Sequence, residues 1–203
     1  MQAVRERENM EESKIISNKR VVIIGGSAGS LNAILQILPD LPVFKTFALV
    51  IVLHRRGTDD LTLEELITLK AQTEVKLIED KVKLMPGFIY VAPSNYHLLF
   101  EKDDFFALDT SEKVNYSRPS IDVSFESAAE VYGSNLIGIL LSGSNTDGTE
   151  GLKAIQNAGG IVVIQDPKSA EMPYMPSNAI LNTTPDYILS PEEILKFIIS
   201  IDK

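Results

Sequence analysis

The 203-residue sequence predicts an α/β fold: a doubly wound, mostly parallel sheet with helices on both faces and an inserted antiparallel hairpin. Three observations carry that prediction. Continuous apolar runs at 21–24, 48–53, 136–141 and 161–164 have the texture of strands buried on both faces of a parallel sheet. Amphipathic segments with apolar residues at helical spacing alternate with them. Residues 97–100 and 105–108 are short β-type runs on either side of a Lys-Asp-Asp turn, the pattern of a hairpin.

Taken in order, Val21-Val22-Ile23-Ile24 ends in Gly25-Gly26, and Leu31, Ile34, Leu35 and Leu38 then recur at helical spacing before Pro39. The second run stops at His54-Arg55-Arg56-Gly57. Thr62-Leu63-Glu64-Glu65 is a capping-box opening for a helix with Leu63, Leu66 and Ile67 on one face. The texture then changes to short β-type runs at 75–78, 88–91, 97–100 and 105–108, split by turn residues. After Pro119, the positions of Ile121, Phe125, Ala128, Ala129 and Tyr132 restore helical spacing. The third buried run leads into Ser142-Gly143-Ser144-Asn145-Thr146-Asp147-Gly148. A helix over 152–158 closes at Gly159-Gly160 before the fourth run. Tyr187-Ile188-Leu189 reads as an edge strand, and Ser190-Pro191-Glu192-Glu193 opens a final helix with Ser as N-cap and Glu three residues on.

Composition narrows the chemistry. No Cys excludes disulfides, thiolate metal sites, iron–sulfur clusters and a Cys nucleophile, and fits a reducing compartment. Two His, His54 and His97, argue against a His-rich metal centre. With 28 acidic against 19 basic residues the net charge is −9, which argues against binding a nucleic-acid backbone. The longest strongly apolar stretch, near 47–53, is far short of the ~20 residues of a membrane span, and the N-terminus has no signal-peptide h-region. A cytoplasmic protein without membrane insertion is expected. Residues 1–18 read as a charged, flexible leader, and 19–203 as one domain.

In doubly wound sheets ligands bind outside the carboxyl ends of the strands, and three such ends carry chemistry here. Gly25-Gly26-Ser27-Ala28-Gly29 contains Gly-x-Ser-x-Gly between a strand and a helix, the setting of a nucleophile elbow. The same residues also read as a phosphate-cradling loop or a plain helix cap. His54 directly follows the second strand, where an imidazole serves either structure or catalysis. Asp147 stands in the loop after the third, as a carboxylate able to accept Nδ1–H from His54 or as the cap of the next helix. Together they have the makings of a Ser-His-Asp triad, in a chain order that differs from that of α/β-hydrolases.

The pattern resembles the catalytic domain of CheB-type chemotaxis protein-glutamate methylesterases. The resemblance runs from about residue 20 to 200 and rests on Ile-Gly-Gly-Ser27-Ala-Gly-Ser, Val-Leu-His54-Arg-Arg-Gly, Leu-Met-Pro-Gly-Phe-Ile-Tyr-Val-Ala-Pro at 84–93, Arg118-Pro119-Ser120-Ile121-Asp122, Leu-Leu-Ser-Gly at 140–143, Asp147-Gly148 and Met175-Pro176. It implies Ser27 as nucleophile, His54 as general base then acid, Asp147 as the residue orienting His54, and the backbone N–H groups of Ala28 and Ser144 as oxyanion donors. It implies hydrolysis of glutamate γ-methyl esters on the cytoplasmic helices of chemoreceptors through an acyl-enzyme, with no metal and no organic cofactor, and with deamidation of receptor glutamines as a second activity of family members. Arg55, Arg56 and Arg118 would then face an acidic receptor helix as a substrate-adjacent positive patch. His97, in the family's Ala-Pro-x-x-x-His context, reads as structural or substrate-adjacent.

Two departures stand out. Where the family usually has Gly-Met-Gly before the Asp, this chain has Gly143-Ser144-Asn145-Thr146-Asp147, with Asn at a position favouring Gly. The leader is also too short for the family's usual receiver domain of roughly a hundred residues. That implies activity unregulated by phosphorylation, control by a separate receiver or signalling protein, or a chain cut from a longer one. Two further readings remain open at this point, a catalytically silent docking module and a dinucleotide-binding domain. The second fits poorly, because the loop is not Gly-x-Gly-x-x-Gly and no acidic residue ends the second strand.

Overall fold

The computed structural model describes residues 16–55 and 62–202. Seven parallel strands form the main sheet: β1 (Arg20–Gly26), β2 (Phe47–Leu53), β3 (Val75–Leu77), β4 (Ile89–Val91), β7 (Leu136–Leu140), β8 (Ile161–Gln165) and β9 (Tyr187–Leu189), in the order β3-β4-β2-β1-β7-β8-β9. A two-stranded antiparallel sheet holds β5 (His97–Glu101) and β6 (Phe105–Asp109), with His97 opposite Asp109 and Glu101 opposite Phe105. This is the expected hairpin. The short runs near 75–78 and 88–91 join the main sheet as its far edge, parallel to β2, so the sheet is larger than its long apolar runs alone indicate.

The continuous apolar texture of β1 and β2 follows from burial on both faces. Alternate residues of β1 separate cleanly, Val21 and Ile23 to one face, Val22 and Ile24 to the other. The first face is covered by α3 (Ile121–Tyr132), α4 (Thr149–Asn157), α5 (Tyr174–Asn182) and the hairpin, and the second by α1 (Ser30–Ile37), α2 (Thr62–Lys70) and α6 (Pro191–Ile201). Helix α6 opens with the expected capping box: Ser190 Oγ accepts from Glu193 N–H, and the Ser190 N–H donates to the Glu193 carboxylate at 2.8 Å. Helix α5 had no clear sequence signal, because Pro176, Ser177 and Asn178 are poor helix formers.

Two glycines permit the close packing that positions the site. A Cβ on Gly25 would lie 2.5 Å from Ile121 Cγ2, so only Gly lets the first turn of α3 sit on the end of β1. A Cβ on Gly151 would lie 2.4 Å from the Phe125 Cβ, and its absence lets α4 run against α3. The hairpin pins α3 from outside, through Ser124 Oγ donating to Leu98 O at 2.9 Å and Phe100 packing edge-on against Tyr132.

The chain winds outward from β1 toward β3 on one side and then from β7 to β9 on the other. The reversal of direction falls between β1 and β7, and at such a point the crossover helices diverge and open a crevice at the strand ends. Of the leader expected over 1–18, residues 1–15 lie outside the described residues. Ser17 is tied to the domain, its N–H donating to Val131 O and its hydroxyl to Asp104. Among the described residues, no helix is long and apolar enough to cross a membrane.

Candidate active site

Ser27, His54 and the 142–147 loop follow the adjacent strands β1, β2 and β7 and meet at that crevice. Backbone hydrogen bonds lock the three ends together: Ser27 N–H donates to Ser142 O at 2.9 Å, and His54 N–H to Gly26 O at 3.0 Å. Gly29, in the left-handed region at φ 79°, turns the chain from strand into α1. The Ser27 carbonyl accepts from Ser30 N–H and Ser30 Oγ, which holds the elbow shut from below.

Asp147 is fully buried and lies at the N-terminus of α3, where helix N–H groups lack intrahelical partners. Its Oδ2 accepts from Ile121 N–H at 2.7 Å, and its Oδ1 from Asp122 N–H at 3.1 Å, Ser120 Oγ at 2.9 Å and Asn115 Nδ2 at 3.1 Å. The sequence allowed Asp147 to cap the following helix, α4, but Gly148 is the N-cap there and, among the described residues, no side chain caps that end. Asp147 caps α3 instead. Burial pushes its carboxyl pKa up, but the hydrogen bonds from His54 and from Ile121 N–H outweigh that and hold it well below the usual carboxylate range.

His54 meets this carboxylate through Nε2, at 2.6 Å from Oδ2. The expected contact through Nδ1 is therefore corrected. The α3 donors hold Asp147 deep in the crevice, so the far end of the ring reaches it and Nδ1 faces outward. With Nε2 donating to Asp147, Nδ1 carries the lone pair, and it accepts from Ser117 Oγ at 3.3 Å and Asn145 Nδ2 at 3.4 Å. Ser27 Oγ makes no hydrogen bond among the described residues, so the structure joins His54 to Asp147 but does not join Ser27 to His54. Nor do the backbone N–H groups of Ala28 and Ser144 donate to a protein acceptor among those residues. Both residues are exposed at the crevice.

Sequence reasoning missed Asn115, Ser117 and Ser120 as parts of this site, and marked Asn145 only as a departure from the family pattern. Asn115 and Tyr116 are the centre of a tight turn from Val114 to Ser117, both with positive φ, at 49° and 63°. Non-glycine residues pay for that conformation, and here Asn115 Nδ2 bridges Asp147 and Asp122 Oδ2 while Tyr116 stands 97% exposed. His97 braces the same loop, its Nε2–H donating to Glu112 O at 3.0 Å and its Nδ1 accepting from Ser120 N–H at 3.2 Å. It is buried. Asp122 is buried beside Asp147. Burial lifts its pKa to about 7, opposed by the Gly151 N–H it accepts and reinforced by the Asp147 charge.

A cleft of about 400 Å³ opens over His54, lined also by Arg55, Asn95, Lys113, Tyr116, Ser117 and Arg118. Arg55 lines it, but its guanidinium forks onto Glu64 of α2, so its charge is met within the protein. Arg56 lies outside the described residues. Arg118 donates to the carbonyls of Thr110 and Ser111 and makes no ion pair among the described residues, so it and Lys113 carry the positive charge of the cleft.

The family profile described as CheB methylesterase matches residues 22–198. A Leptospira interrogans protein provisionally named a protein-glutamate methylesterase/protein-glutamine glutaminase is 45% identical over 186 residues, which are 92% of this chain and 96% of that protein. A Thermotoga maritima protein named for the same two activities is 32% identical over 186 residues, 88% of this chain but only 54% of its own length. The crystal structure of the Thermotoga maritima CheB methylesterase catalytic domain superposes with a TM-score of 0.86 at 32% identity, covering 91% of this chain and all of that one. With the match running through all three strand ends that form the crevice, the chain belongs to the CheB methylesterase family.

Proposed function

We propose that this protein is a serine esterase that hydrolyses glutamate γ-methyl esters on the cytoplasmic helices of chemoreceptors. The observation that carries this reading is the His54–Asp147 pair, whose Nε2 is taken by the carboxylate and whose Nδ1 is turned away from it, at the strand ends where Ser27 also stands. Ser27 Oγ gives its proton to Nδ1 and attacks the ester carbonyl. The imidazolium that forms is stabilised by the anionic Asp147. The tetrahedral oxyanion takes the uncommitted N–H groups of Ala28 and Ser144, and such oriented donors act where charge develops in the transition state. His54 then returns the proton to the methoxide, methanol leaves, and water repeats the sequence on the acyl-enzyme.

For this to occur Ser27 must replace Ser117 and Asn145 as the donor to the Nδ1 lone pair, with both side chains staying beside it, so approach of the substrate completes the triad. Arg118 and Lys113 favour an acidic helix surface at the cleft despite the net charge of −9. A cytoplasmic site of action, without membrane insertion, goes with this substrate. Glutamine deamidation, part of the relatives' names, is the second activity proposed, and a separate receiver or signalling protein is the regulatory partner proposed.

One observation favours another reading. Because Ser27 is not bonded to His54, the fold could serve as a silent docking module. Methanol release from methylated receptor membranes separates the two. Release by the wild type and none by Ser27→Ala is the expected result, with an active relative as control. Silence of the wild type beside an active control would overturn the esterase reading.

A further inference from the structure

The atom that takes the proton from Nδ1 of His54 is the leaving group, so whatever lies within hydrogen-bond reach of Nδ1 also faces that atom. Among the described residues two side chains do so, Ser117 Oγ at 3.3 Å and Asn145 Nδ2 at 3.4 Å. A hydroxyl rotates to donate or accept and is indifferent to the group beside it. Asn145 is not indifferent. Its Oδ1 accepts from the Asp147 N–H at 3.2 Å, and since a backbone N–H only donates, the amide cannot turn over without facing donor with donor. Nδ2 is thereby fixed toward the reacting atoms. Asn145 has no positive φ, so this turn does not need the glycine expected there, and the side chain is free to serve the site.

An ester and an amide differ at this point. Collapse of the tetrahedral adduct of a γ-methyl ester breaks the carbon–oxygen bond, the electron pair going to a methoxy oxygen that takes the Nδ1 proton. That oxygen has a second lone pair with which to accept from Asn145. Collapse of the γ-amide adduct breaks the carbon–nitrogen bond. The departing nitrogen uses its one lone pair for the proton and already carries two N–H bonds, so toward Asn145 it presents a donor to a donor. We propose that Asn145 is a specificity-determining residue that favours loss of an alcohol from γ-esters over loss of ammonia from γ-amides. The proposal rests on the esterase reading above.

The test uses one synthetic receptor-helix peptide made with either a glutamate γ-methyl ester or a glutamine at the same position, and compares kcat/KM for methanol and ammonia release. Asn145→Ala removes the donor, and Asn145→Asp keeps the acceptor for Asp147 N–H while replacing the donor by an acceptor. In both variants the ammonia-to-methanol ratio rises by roughly tenfold, the size of a hydrogen bond gained or lost in the transition state. A purely structural role lowers both rates together and leaves the ratio alone. A ratio within about twofold of wild type in either variant, or one that falls, overturns the proposal. Absence of methanol release by the wild type itself overturns the esterase reading and the proposal built on it, and is distinguishable because the variants are then not compared at all.

Discussion

Replacing Asp147 by Asn tests the site at the point where fold and chemistry share an atom. The substitution turns one carboxylate oxygen into an NH₂, and the structure decides which. Placed at Oδ1, the NH₂ meets the Asp122 N–H and Asn115 Nδ2, two donors at 3.1 Å. Placed at Oδ2, it meets only one obligate donor, the Ile121 N–H, because the His54 ring can exchange its tautomer. The second arrangement is therefore favoured, and it has two consequences. One buried backbone N–H loses its acceptor, at a cost of about 1–3 kcal/mol in stability. Nε2 must accept from the new NH₂, so Nδ1 becomes protonated and can no longer take the Ser27 proton. Loss of the correct tautomer in a Ser-His-Asp arrangement lowers kcat by roughly 10⁴-fold. Urea unfolding gives the first quantity and methanol release the second. An Asp147→Asn variant within about tenfold of wild-type kcat would refute the assignment of Nδ1 as the base.

Glu64→Gln leaves the Arg55 guanidinium, 15% exposed at the cleft, without its carboxylate, and urea unfolding should show a loss of about 1–3 kcal/mol, the cost of a charged hydrogen-bonded pair broken on one side. Tyr116→Ala removes the fully exposed ring at the lip of the cleft; KM for a receptor helix should rise about fivefold, the worth of one aromatic contact, with kcat held. For Asp122, a folded pKa raised to about 7 makes the folded state bind the extra proton between the unfolded carboxylate pKa and 7. Its contribution to stability is full below that window and is lost as pH rises through it. Asp122→Asn should therefore gain on the wild type as pH rises from 4 to 8, by on the order of a few kcal/mol in urea unfolding, and equal pH slopes in the two proteins would contradict the raised pKa.

How much of this was legible in the sequence follows from where each signal lives. Strands β1, β2, β7 and β8 were readable because parallel strands buried on both faces are apolar throughout, and their ends gave Ser27, His54 and Asp147. Strands β3 and β4 have three residues each, so their membership in the main sheet was set by the pairing of β4 with β2 and of β3 with β4, and not by their own pattern. The ring nitrogen that meets Asp147 was unreadable in principle, since it depends on how deep α3 holds the carboxylate. Asn115 and Ser117 are equally opaque: they reach the site through a positive-φ turn of non-glycine residues, which no glycine announces, braced by His97 from the hairpin. Asn145 did stand out, as a departure from the family pattern, but its role emerged only with the Asp147 N–H that fixes its amide.

Ser27 and Asp147 differ in a way that stability measurements can separate from activity. Asp147 satisfies helix-end donors of α3, so the protein needs it in order to fold well, whatever it does in catalysis. Ser27 Oγ satisfies no group among the described residues, while the bonds of Ser27 that close the elbow are made by its backbone, and alanine keeps that backbone. Nothing in the fold is lost when the hydroxyl is removed, and its half-exposed position leaves no buried orphan behind. Ser27→Ala should therefore unfold in urea within about 0.5 kcal/mol of wild type while releasing no methanol. A residue maintained for chemistry has this signature, whereas one maintained for packing loses stability when truncated. If Ser27→Ala lost more than about 1 kcal/mol, its hydroxyl would have to be bonded in the resting protein, and the unbonded Ser27 from which substrate approach completes the triad would be refuted.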